Sequence, residues 1–446
     1  MLIQCTISNF LSFKDEVTFS MVKGLQRKHS NHVIKNSTVD YINVVKTALI
    51  YGANASGKSN FVKALDFIQD LIVNGTNSNE NINRKPYILD DEFIKQASKF
   101  TFNFCYNDIC YLYGIEFDSN VILKEYLYEV LKTSDKLLFE RNWIGNEPSY
   151  SFGNWINSLD SENKRFVNFV AKGTRPNQPF LKESVDRQVK QFDNAYTWFK
   201  DSLQIIFPST IFNIGRILFN DEYSGLLKNL IGLLNDFGTG IVDFDLESLD
   251  MAQLLPENLI KDIEKGLSSE NNLIFAQRND KEKIFITKDN ETNQLNASKL
   301  MLKHRGSKGE TIQIEPMDES DGTIRLIDLF PILLQSPDQP QVFIVDEFDR
   351  SIHPNLSYKF LQLFLDKINS NIQLIVTTHE ENLLDLDLLR RDEIWFIEKD
   401  YEGASHLYSL EEFQPRYDKD IRKGYLQGRF GAIPLLRSPG FCEDER

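Results

Sequence analysis

Residues 52–59 read G-A-N-A-S-G-K-S and match the pattern G-x-x-x-x-G-K-[ST] at every fixed position. The apolar, β-rich run NVVKTALIYG precedes this loop, and SNFVKALDFIQDLIV follows it with apolar residues at helical spacing. In a strand, loop and helix of this kind, glycines let backbone N–H groups surround phosphate oxygens, and the helix contributes its positive N-terminus. The stretch therefore predicts a phosphate-binding loop, followed by a helix that runs to about Val73.

The residue types in the loop also predict its ligand. A lysine at this position reaches the β- and γ-phosphates of a nucleotide, and the hydroxyl that follows it binds Mg²⁺. Here these residues are Lys58 and Ser59, so ATP and Mg²⁺ are the expected cofactors. The residues expected to contact the nucleotide are Gly52, Asn54, Ala55, Ser56, Gly57, Lys58, Ser59 and Asn60.

A second motif stands in PQVFIVDEFDRSIHP. Four apolar residues, 342–345, precede Asp346 and Glu347. They predict a buried strand that ends in two carboxylates, at the edge where open α/β sheets bind ligands. Asp346 is expected to hold the metal ion, and Glu347 to activate the attacking water as a general base. In a chain with no phosphate-binding loop, the same pair would indicate only a solvated strand end.

Two further segments complete the predicted site. QLIVTTHEENLLD predicts a strand followed by His379, whose imidazole can bond the γ-phosphate and the attacking water. His379 lies 32 residues after Glu347, with a predicted helix at about 356–368 between them. DESDGTIRLIDLFPILL predicts a helix that begins near Ser320 and Gly322. Its N-terminus is either a second phosphate-binding element or an ordinary capped helix start.

Composition narrows the class of protein. The net charge of −15 and the pI of about 5.0 argue against a free-standing DNA-binding surface, although a local basic groove stays compatible with them. The start MLIQCTISNFLSF is too polar for a signal peptide, and no apolar run reaches the length of a membrane span. We therefore expect a cytoplasmic protein with no membrane partner. In a reducing cytoplasm we expect free thiols at the four cysteines, none of which forms a C-x-x-C pair: Cys5, Cys105, Cys110 and Cys442.

The pattern along the chain predicts an α/β fold in four segments. Residues 1–154 form a lobe with the phosphate-binding loop and an antiparallel β subdomain over about 99–151, where strand-like runs alternate with the turns ND, DSN and TSD. Residues 155–300 are predicted to form a mainly helical insertion. Residues 301–415 form a second lobe that carries the other motifs, and residues 416–446 form a tail.

The order of these motifs resembles that of ABC-type ATPases, and most closely the SMC, RecF and OLD-like heads. IQCTISNFLSFKD is similar to the I-x-N-F-x-S-F start of those heads, and DEFDRSIHP to their DE-x-x-x-x-L-H-P stretch, with Ile352 in place of leucine. DGTIRLIDL and GYLQGRFGAIP resemble stand-alone ATPases of prokaryotic defence islands, the RloA-like or abortive-infection ATPases. The resemblance implies an ABC-type head with a mixed, largely parallel central sheet, an antiparallel β subdomain and an inserted helical lobe.

The resemblance also implies an ATP-dependent, head-to-tail homodimer or a higher oligomer, in which the signature of one protomer completes the site of the other. Ser320 and Gly322 would then act in trans. The signature here is S-D-G-T rather than S-G-G-Q, so Asp321 would repel a γ-phosphate unless its side chain turns away. ABC proteins also use a glutamine that senses Mg²⁺ and water, and Gln178 is the candidate for it here.

Three functions remain open from the sequence. In the first, the chain is an ATPase switch in anti-phage defence that controls a separate effector, such as a nuclease. Only 67 residues follow His379, which is too few for the Toprim nuclease domain of OLD-type proteins. In the second, it is a RecF-like repair ATPase that binds duplex DNA directly. In the third, it is an ATP-locked scaffold with slow turnover.

Overall fold

The structure is a computed structural model that describes residues 1–35, 42–78, 80–210, 214–219, 224–256, 258–260, 263, 273–277, 281–289, 292, 294–335, 340–367, 371–416 and 420–433. The chain divides into two compact units. The first comprises Met1–Phe207, Pro337–Phe348 and Leu365–Arg446, and the second comprises Pro208–Ser336 and Asp349–Phe364. Of the predicted tail, Cys442 and the last residue of GYLQGRFGAIP lie outside the described residues.

Strands supply the framework of both units. In the described ranges they are β1 (Leu2–Ser8), β2 (Val17–Ser20), β3 (Val33–Ile34), β4 (Val44–Val45), β5 (Thr47–Tyr51), β6 (Ser98–Tyr106), β7 (Ile109–Phe117), β8 (Ile122–Glu129), β9 (Lys136–Ile144), β10 (Glu147–Phe152), β11 (Leu203–Ile206), β12 (Ile241–Leu249), β13 (Leu273–Gln277), β14 (Lys283–Lys288), β15 (Leu295–Arg305), β16 (Thr311–Ile314), β17 (Gln341–Val345), β18 (Ile372–Thr377), β19 (Ile394–Lys399) and β20 (Ser405–Ser409).

The helices are mostly short. Over the residues that the structure describes, none is both long and apolar enough to cross a membrane. They are α1 (Lys58–Val73), α2 (Asp91–Lys95), α3 (Ser161–Gly173), α4 (Phe180–Asp186), α5 (Asp193–Thr197), α6 (Gly215–Leu218), α7 (Ser224–Asp236), α8 (Met251–Leu254), α9 (Asp321–Leu333), α10 (Pro354–Lys367) and α11 (Ile421–Leu426).

A six-stranded sheet in the first unit carries the predicted nucleotide motifs. Its order is β11-β17-β18-β5-β19-β20, with β20 antiparallel to β19 and the other neighbours parallel. Every residue of β5 and β18 is buried, as expected for parallel strands covered on both faces. Because parallel strands end at the same edge, β5, β17 and β18 bring their C-terminal residues together.

A seven-stranded antiparallel sheet, β10-β9-β8-β7-β6-β1-β2, is the second large sheet of the first unit, which also contains the two-stranded sheet β3-β4. Strands β6 to β10 are joined as successive antiparallel neighbours. Most of their buried residues are apolar, and the ring of Phe104 on β6 stacks on the ring of Trp198, which follows α5, with the ring centroids 4.2 Å apart. The predicted α/β class, with a largely parallel core sheet and an antiparallel β subdomain, is confirmed.

The predicted boundaries differ from the two observed units. Residues 155–207 belong to the first unit, and the segment LQII, which lies within the predicted helical insertion, forms β11 at the edge of the core sheet. A four-residue apolar run carries too little periodicity to separate strand from helix. The parallel pairing of β11 with β17 decides the conformation.

The second unit combines helices with an antiparallel sheet, whereas we predicted a mainly helical insertion at 155–300. Its sheet has the order β12-β15-β14-β13, with β16 added beside β15. Strand β15 runs through the predicted boundary at residue 300 and pairs with β12 over Ile241–Leu249. These contacts join residues far apart in sequence, so a boundary placed where the local pattern changes could not locate the unit.

The expectation of four free thiols is wrong for two of them. Cys105 and Cys110 form a disulfide across the β6–β7 hairpin, while Cys5 is free and buried. Asn107 and Asp108 both have positive φ angles, as a two-residue type I′ turn requires. That turn places residues 105 and 110 directly opposite each other. The dipeptide Asn107-Asp108 is typical of a two-residue turn. Counting residues outward from that turn would have placed Cys105 opposite Cys110.

Candidate nucleotide-binding site

The phosphate-binding loop lies between β5 and α1, as predicted. Its last residue, Gly57, caps α1 with a φ angle of 118°, a conformation that residues with side chains rarely adopt. A Cβ atom on Gly57 would overlap the hydroxyl of Ser405, and one on Gly52 would overlap the carbonyl of Ile397. The loop therefore packs directly against β19 and β20, which is why glycine is needed at both positions.

The side chains inside the loop suit a phosphate. The ammonium of Lys58 is buried and lies 2.8 Å from the carbonyl oxygen of Gly52 and 3.1 Å from that of Ala53. The hydroxyl oxygen of Ser56 is buried and has no hydrogen-bond partner among the residues that the structure describes. A buried cation, an unpartnered hydroxyl and a glycine cradle are groups that phosphate oxygens would satisfy. The loop therefore fits the expected nucleotide.

Asp346 and Ser59 come together as the predicted metal-binding pair. Asp346 is only 3% exposed, and its Oδ1 accepts hydrogen bonds from Thr377 Oγ1 at 2.6 Å and from Ser59 Oγ at 3.2 Å. No group of three or more His, Cys, Asp or Glu side chains that could hold a metal occurs in the described ranges. The oxygens of Asp346 and Ser59 suit Mg²⁺, which keeps water and phosphate ligands beside one or two protein oxygens.

Glu347 is held in place by its backbone. It has a φ angle of 47°, which is uncommon for a residue with a side chain. Its N–H donates to Thr377 Oγ1 at 2.8 Å, and the N–H of Phe348 donates to the Thr377 carbonyl at 3.0 Å. Thr377 thus contacts both acidic residues of the site. The sequence placed it at the end of a strand beside the predicted γ-phosphate sensor but did not show this role.

His379 is exposed, two residues beyond the C-terminal end of β18. Between them, the N–H of Thr378 donates to the Ile50 carbonyl at 3.1 Å, so this strand end is tied to the strand that leads into the loop. The structure therefore brings together five predicted residues at one sheet edge in the first unit: Lys58, Ser59, Asp346, Glu347 and His379.

Ser320 and Gly322 belong to the second unit, at the start of α9. Ser320 is the exposed N-cap residue, and its Oγ accepts the N–H of Thr323 at 3.0 Å. A Cβ atom on Gly322 would lie 2.5 Å from the carbonyl oxygen of Ser351, so this position also needs glycine. The helix start is therefore built closely against the segment that follows the predicted acidic pair.

The carboxylate of Asp321 is paired within the second unit. Its Oδ1 lies 2.8 Å from Nζ of Lys281, and this hydrogen bond lowers the pKa of Asp321. Lys281 therefore offsets the negative charge of Asp321, which we expected to repel a γ-phosphate at this position of the signature.

Gln178 lies at the wrong end of α1 for the Mg²⁺-sensing role. Its Oε1 accepts the N–H of Thr76 at 2.8 Å, and its amide lies against Gly75, beyond the C-terminus of the helix. The phosphate-binding loop adjoins the N-terminus of this 16-residue helix, about 24 Å away. Gln178 is therefore a structural residue of the first unit.

Comparison with known proteins shows a match to a protein family. The family model described as "AAA domain, putative AbiEii toxin, Type IV TA system" matches residues 48–385. No curated protein sequence matches the chain significantly. Weak similarity extends to two solved SMC heads at 12% identity. One is the SmcHead bound to the C-winged helix domain of ScpA (TM-score 0.39, covering 93% of this chain and 99% of that one). The other is the SMC head domain from Thermotoga maritima (TM-score 0.38, covering 92% and 98%).

Proposed function

Since the chain belongs to the AAA-domain family described as putative AbiEii toxins of type IV TA systems, we propose that it is an Mg²⁺-dependent ATPase that acts as a molecular switch. One observation carries this proposal. Ser59, at the start of the phosphate-binding helix, and Thr377, at the end of β18, both donate hydrogen bonds to Asp346 at the end of β17. Two strand ends and the start of one helix thus converge on one buried carboxylate beside a phosphate cradle.

Each residue of the site in the first unit has a separate role in the proposed hydrolysis. Lys58 and the backbone N–H groups of the loop bind the phosphates, and Ser59 and Asp346 would hold Mg²⁺, which supplies positive charge at the phosphate oxygens. Glu347 accepts the proton of the attacking water as a general base. His379 would bond the γ-phosphate from the same sheet edge. Thr377 keeps the metal ligand and the base in a constant relative position, because it bonds Asp346 and the N–H of Glu347.

The second unit supports a composite site in a dimer. Ser320 is exposed at the start of a 13-residue helix, and Gly322 is kept free of a side chain by the close approach of Ser351. An exposed helix N-terminus with a serine suits a phosphate supplied from outside the unit. In the proposed head-to-tail dimer, Ser320 and Gly322 complete the site of the partner protomer, and loss of the γ-phosphate releases the contact.

The proposed output is control of a separate effector protein in anti-phage defence. The family description, which names a putative toxin of a toxin–antitoxin system, supports a role in growth-limiting responses. The motifs shared with abortive-infection ATPases support the same role. On this proposal, ATP binding and hydrolysis decide when the effector acts.

The proposal is tested with purified wild type and the variants Lys58→Ala and Glu347→Gln. Wild type should hydrolyse ATP only with Mg²⁺. Lys58→Ala should lose ATP binding, because the phosphates lose their main cation. Glu347→Gln should bind ATP normally, accumulate as a dimer by mass photometry and turn over about 10²- to 10⁴-fold more slowly, because the general base is missing. Glu92→Gln, an exposed carboxylate on α2, is the matched control.

The outcomes separate the competing functions. Normal turnover by Glu347→Gln would show that the base assignment is wrong. Turnover stimulated by duplex DNA, with a steep salt dependence, would favour the RecF-like repair ATPase. Very slow turnover in wild type, together with a stable ATP-bound dimer, would favour the scaffold.

A further inference from the structure

The phosphate-binding loop is supported by side chains from three separate segments. Ser12 lies in the turn after β1, Asn60 lies in the first turn of α1, and Ser405 begins β20. Asn60 Nδ2 and Ser12 Oγ are 2.8 Å apart, as are Ser12 Oγ and Ser405 Oγ. Ser405 Oγ lies 2.6 Å from the carbonyl oxygen of Ser56 in the loop. The N–H of Ser405 also donates to the Ser12 carbonyl at 2.7 Å, so backbone and side chains join the same two segments.

The donors in this chain of hydrogen bonds have one consistent direction. A carbonyl oxygen can only accept and a hydroxyl has a single proton, so the proton of Ser405 goes to the Ser56 carbonyl. Ser12 then donates to Ser405, and the amide of Asn60 donates to Ser12. Ser12 is 6% exposed and Ser405 is 2% exposed, so water does not compete for these bonds. The chain of donors therefore ends on the loop.

The hydrogen bond from Ser405 to the Ser56 carbonyl controls the direction in which the N–H of Gly57 points. The Ser56 carbonyl and the Gly57 N–H belong to one planar trans peptide and point in opposite directions. When Ser405 binds the carbonyl, the N–H of Gly57 is turned to the side opposite Ser405. Gly57 also packs directly against Ser405, since a Cβ atom there would overlap the serine hydroxyl. The peptide that precedes α1 is thus fixed by a residue 349 positions after Ser56.

We infer that Ser405 is a positioning residue for phosphate binding. Through the Ser56 carbonyl, it holds the Gly57 N–H in the orientation in which that group donates to a nucleotide phosphate. Ser12 and Asn60 orient the Ser405 hydroxyl. This inference rests on the proposed nucleotide binding and adds to it a support that the loop motif itself does not contain.

The test measures affinity rather than turnover alone. Wild type, Ser405→Ala and Ser409→Ala are titrated with a non-hydrolysable ATP analogue and Mg²⁺ by calorimetry. Ser405→Ala should bind the analogue about tenfold more weakly, because the peptide loses the bond that orients it. Ser409→Ala is the matched control, since it removes a buried hydroxyl from the same strand whose bonds lie away from the loop. It should bind as wild type does.

A split between KM and kcat gives a second readout. Ser405→Ala should raise the KM for ATP by about tenfold and keep kcat within about twofold, because the lost interaction binds substrate and transition state alike. Ser12→Ala should shift the KM in the same direction but by less, since Ser405 keeps its bond to Ser56. A general loss of stability would change the KM of Ser409→Ala as well. A raised KM in Ser405→Ala together with a normal KM in Ser409→Ala therefore indicates a positioning role.

The outcomes distinguish failure of the positioning role from failure of the proposed function. If wild type binds the analogue, Lys58→Ala does not, and Ser405→Ala binds as wild type does, the positioning role is wrong and the proposed function stands. If wild type itself binds no nucleotide, both are overturned. Should Ser405→Ala fail to fold, Ser12→Ala takes its place. An affinity equal to that of wild type would then refute the inference.

Discussion

The carboxyl group of Glu393 is fully buried in the first unit, and its Oε1 lies 3.1 Å from Nδ1 of His32. Burial raises the pKa of Glu393 well above its ordinary value. Burial, with the nearby charges of Lys46 and Arg390, lowers the pKa of His32 to about 4. Both shifts favour the uncharged forms, so we expect a neutral pair in which the carboxylic acid donates a hydrogen bond to an unprotonated imidazole. The pair lies near the N-terminal end of β19, whereas the nucleotide site is at the C-terminal ends of the strands.

This pair predicts a pH dependence of stability. A carboxyl group whose folded pKa is raised stabilises the fold below its unfolded pKa and loses that contribution as the pH rises towards the folded pKa. The free energy of unfolding of wild type should therefore fall relative to that of Glu393→Gln as the pH rises above the ordinary pKa of a glutamate, by up to about 1.4 kcal/mol per pH unit. Glutamine cannot ionise but can still bond both His32 and the Arg390 N–H.

Urea unfolding followed by tryptophan fluorescence provides the measurement, because all four tryptophans lie in the first unit. Glu16→Gln, at an exposed position, serves as the control and should show the wild-type pH profile. If the profiles of wild type and Glu393→Gln run parallel, the acid is ionised in the folded protein.

At the scale of elements, Gln178 links the end of α1 to the segment that precedes α4. Its Oε1 accepts the N–H and the hydroxyl of Thr76, and its own carbonyl accepts a hydrogen bond from buried Arg141. The Gln178→Ala variant leaves the N–H of Thr76 without this partner. It should lower the free energy of unfolding by about 1–3 kcal/mol. Because this end of α1 is far from the phosphate-binding loop, kcat per folded molecule should not change.

Urea unfolding and steady-state ATPase assays on the same Gln178→Ala preparation check both halves of this prediction. A glutamine that senses Mg²⁺ would give the reverse pattern, with near-normal stability and strongly reduced kcat. Gln96→Ala, at an exposed position after α2, controls for loss of an amide side chain.

At the scale of the whole molecule, a dimer with composite sites predicts complementation between two inactive variants. Lys58→Ala lacks phosphate binding in cis, and Ser320→Arg blocks the surface offered in trans. In a mixed dimer, one site combines both defects and the other contains an intact Lys58 and an intact Ser320. An equimolar mixture should therefore recover about a quarter of wild-type turnover, because half of the dimers are mixed and each has one good site.

The ATPase rate of the mixture, compared with the sum of the separate rates, gives the result. A rate equal to the sum would show that Ser320 and Lys58 do not act across a dimer interface. A mixture of Lys58→Ala with Glu347→Gln is the control, since both defects lie in the first unit and no site in that mixed dimer is intact.

Much of the candidate site could be predicted from local sequence. The loop at residues 52–59 and the helix that ends at Val73 were predicted correctly because their signals lie within one strand–loop–helix. The strand before Asp346 was also predicted correctly, because an apolar run between polar ends indicates a buried strand. The contacts of Thr377 could not be predicted in this way, since they depend on which strands are neighbours in the sheet.

By itself, the sequence predicted which residues meet at the candidate site, and it determined the class of the core. Only the tertiary structure decided that LQII is a strand, that Cys105 lies opposite Cys110 and that Ser405 supports the phosphate-binding loop. The physical reason is the range of the interactions. A loop that binds phosphate needs particular residues within a few positions of one another, and the sequence shows these directly. Strand pairing and hydrogen bonds between distant segments depend on the path of the whole chain, so they become visible only once it is folded.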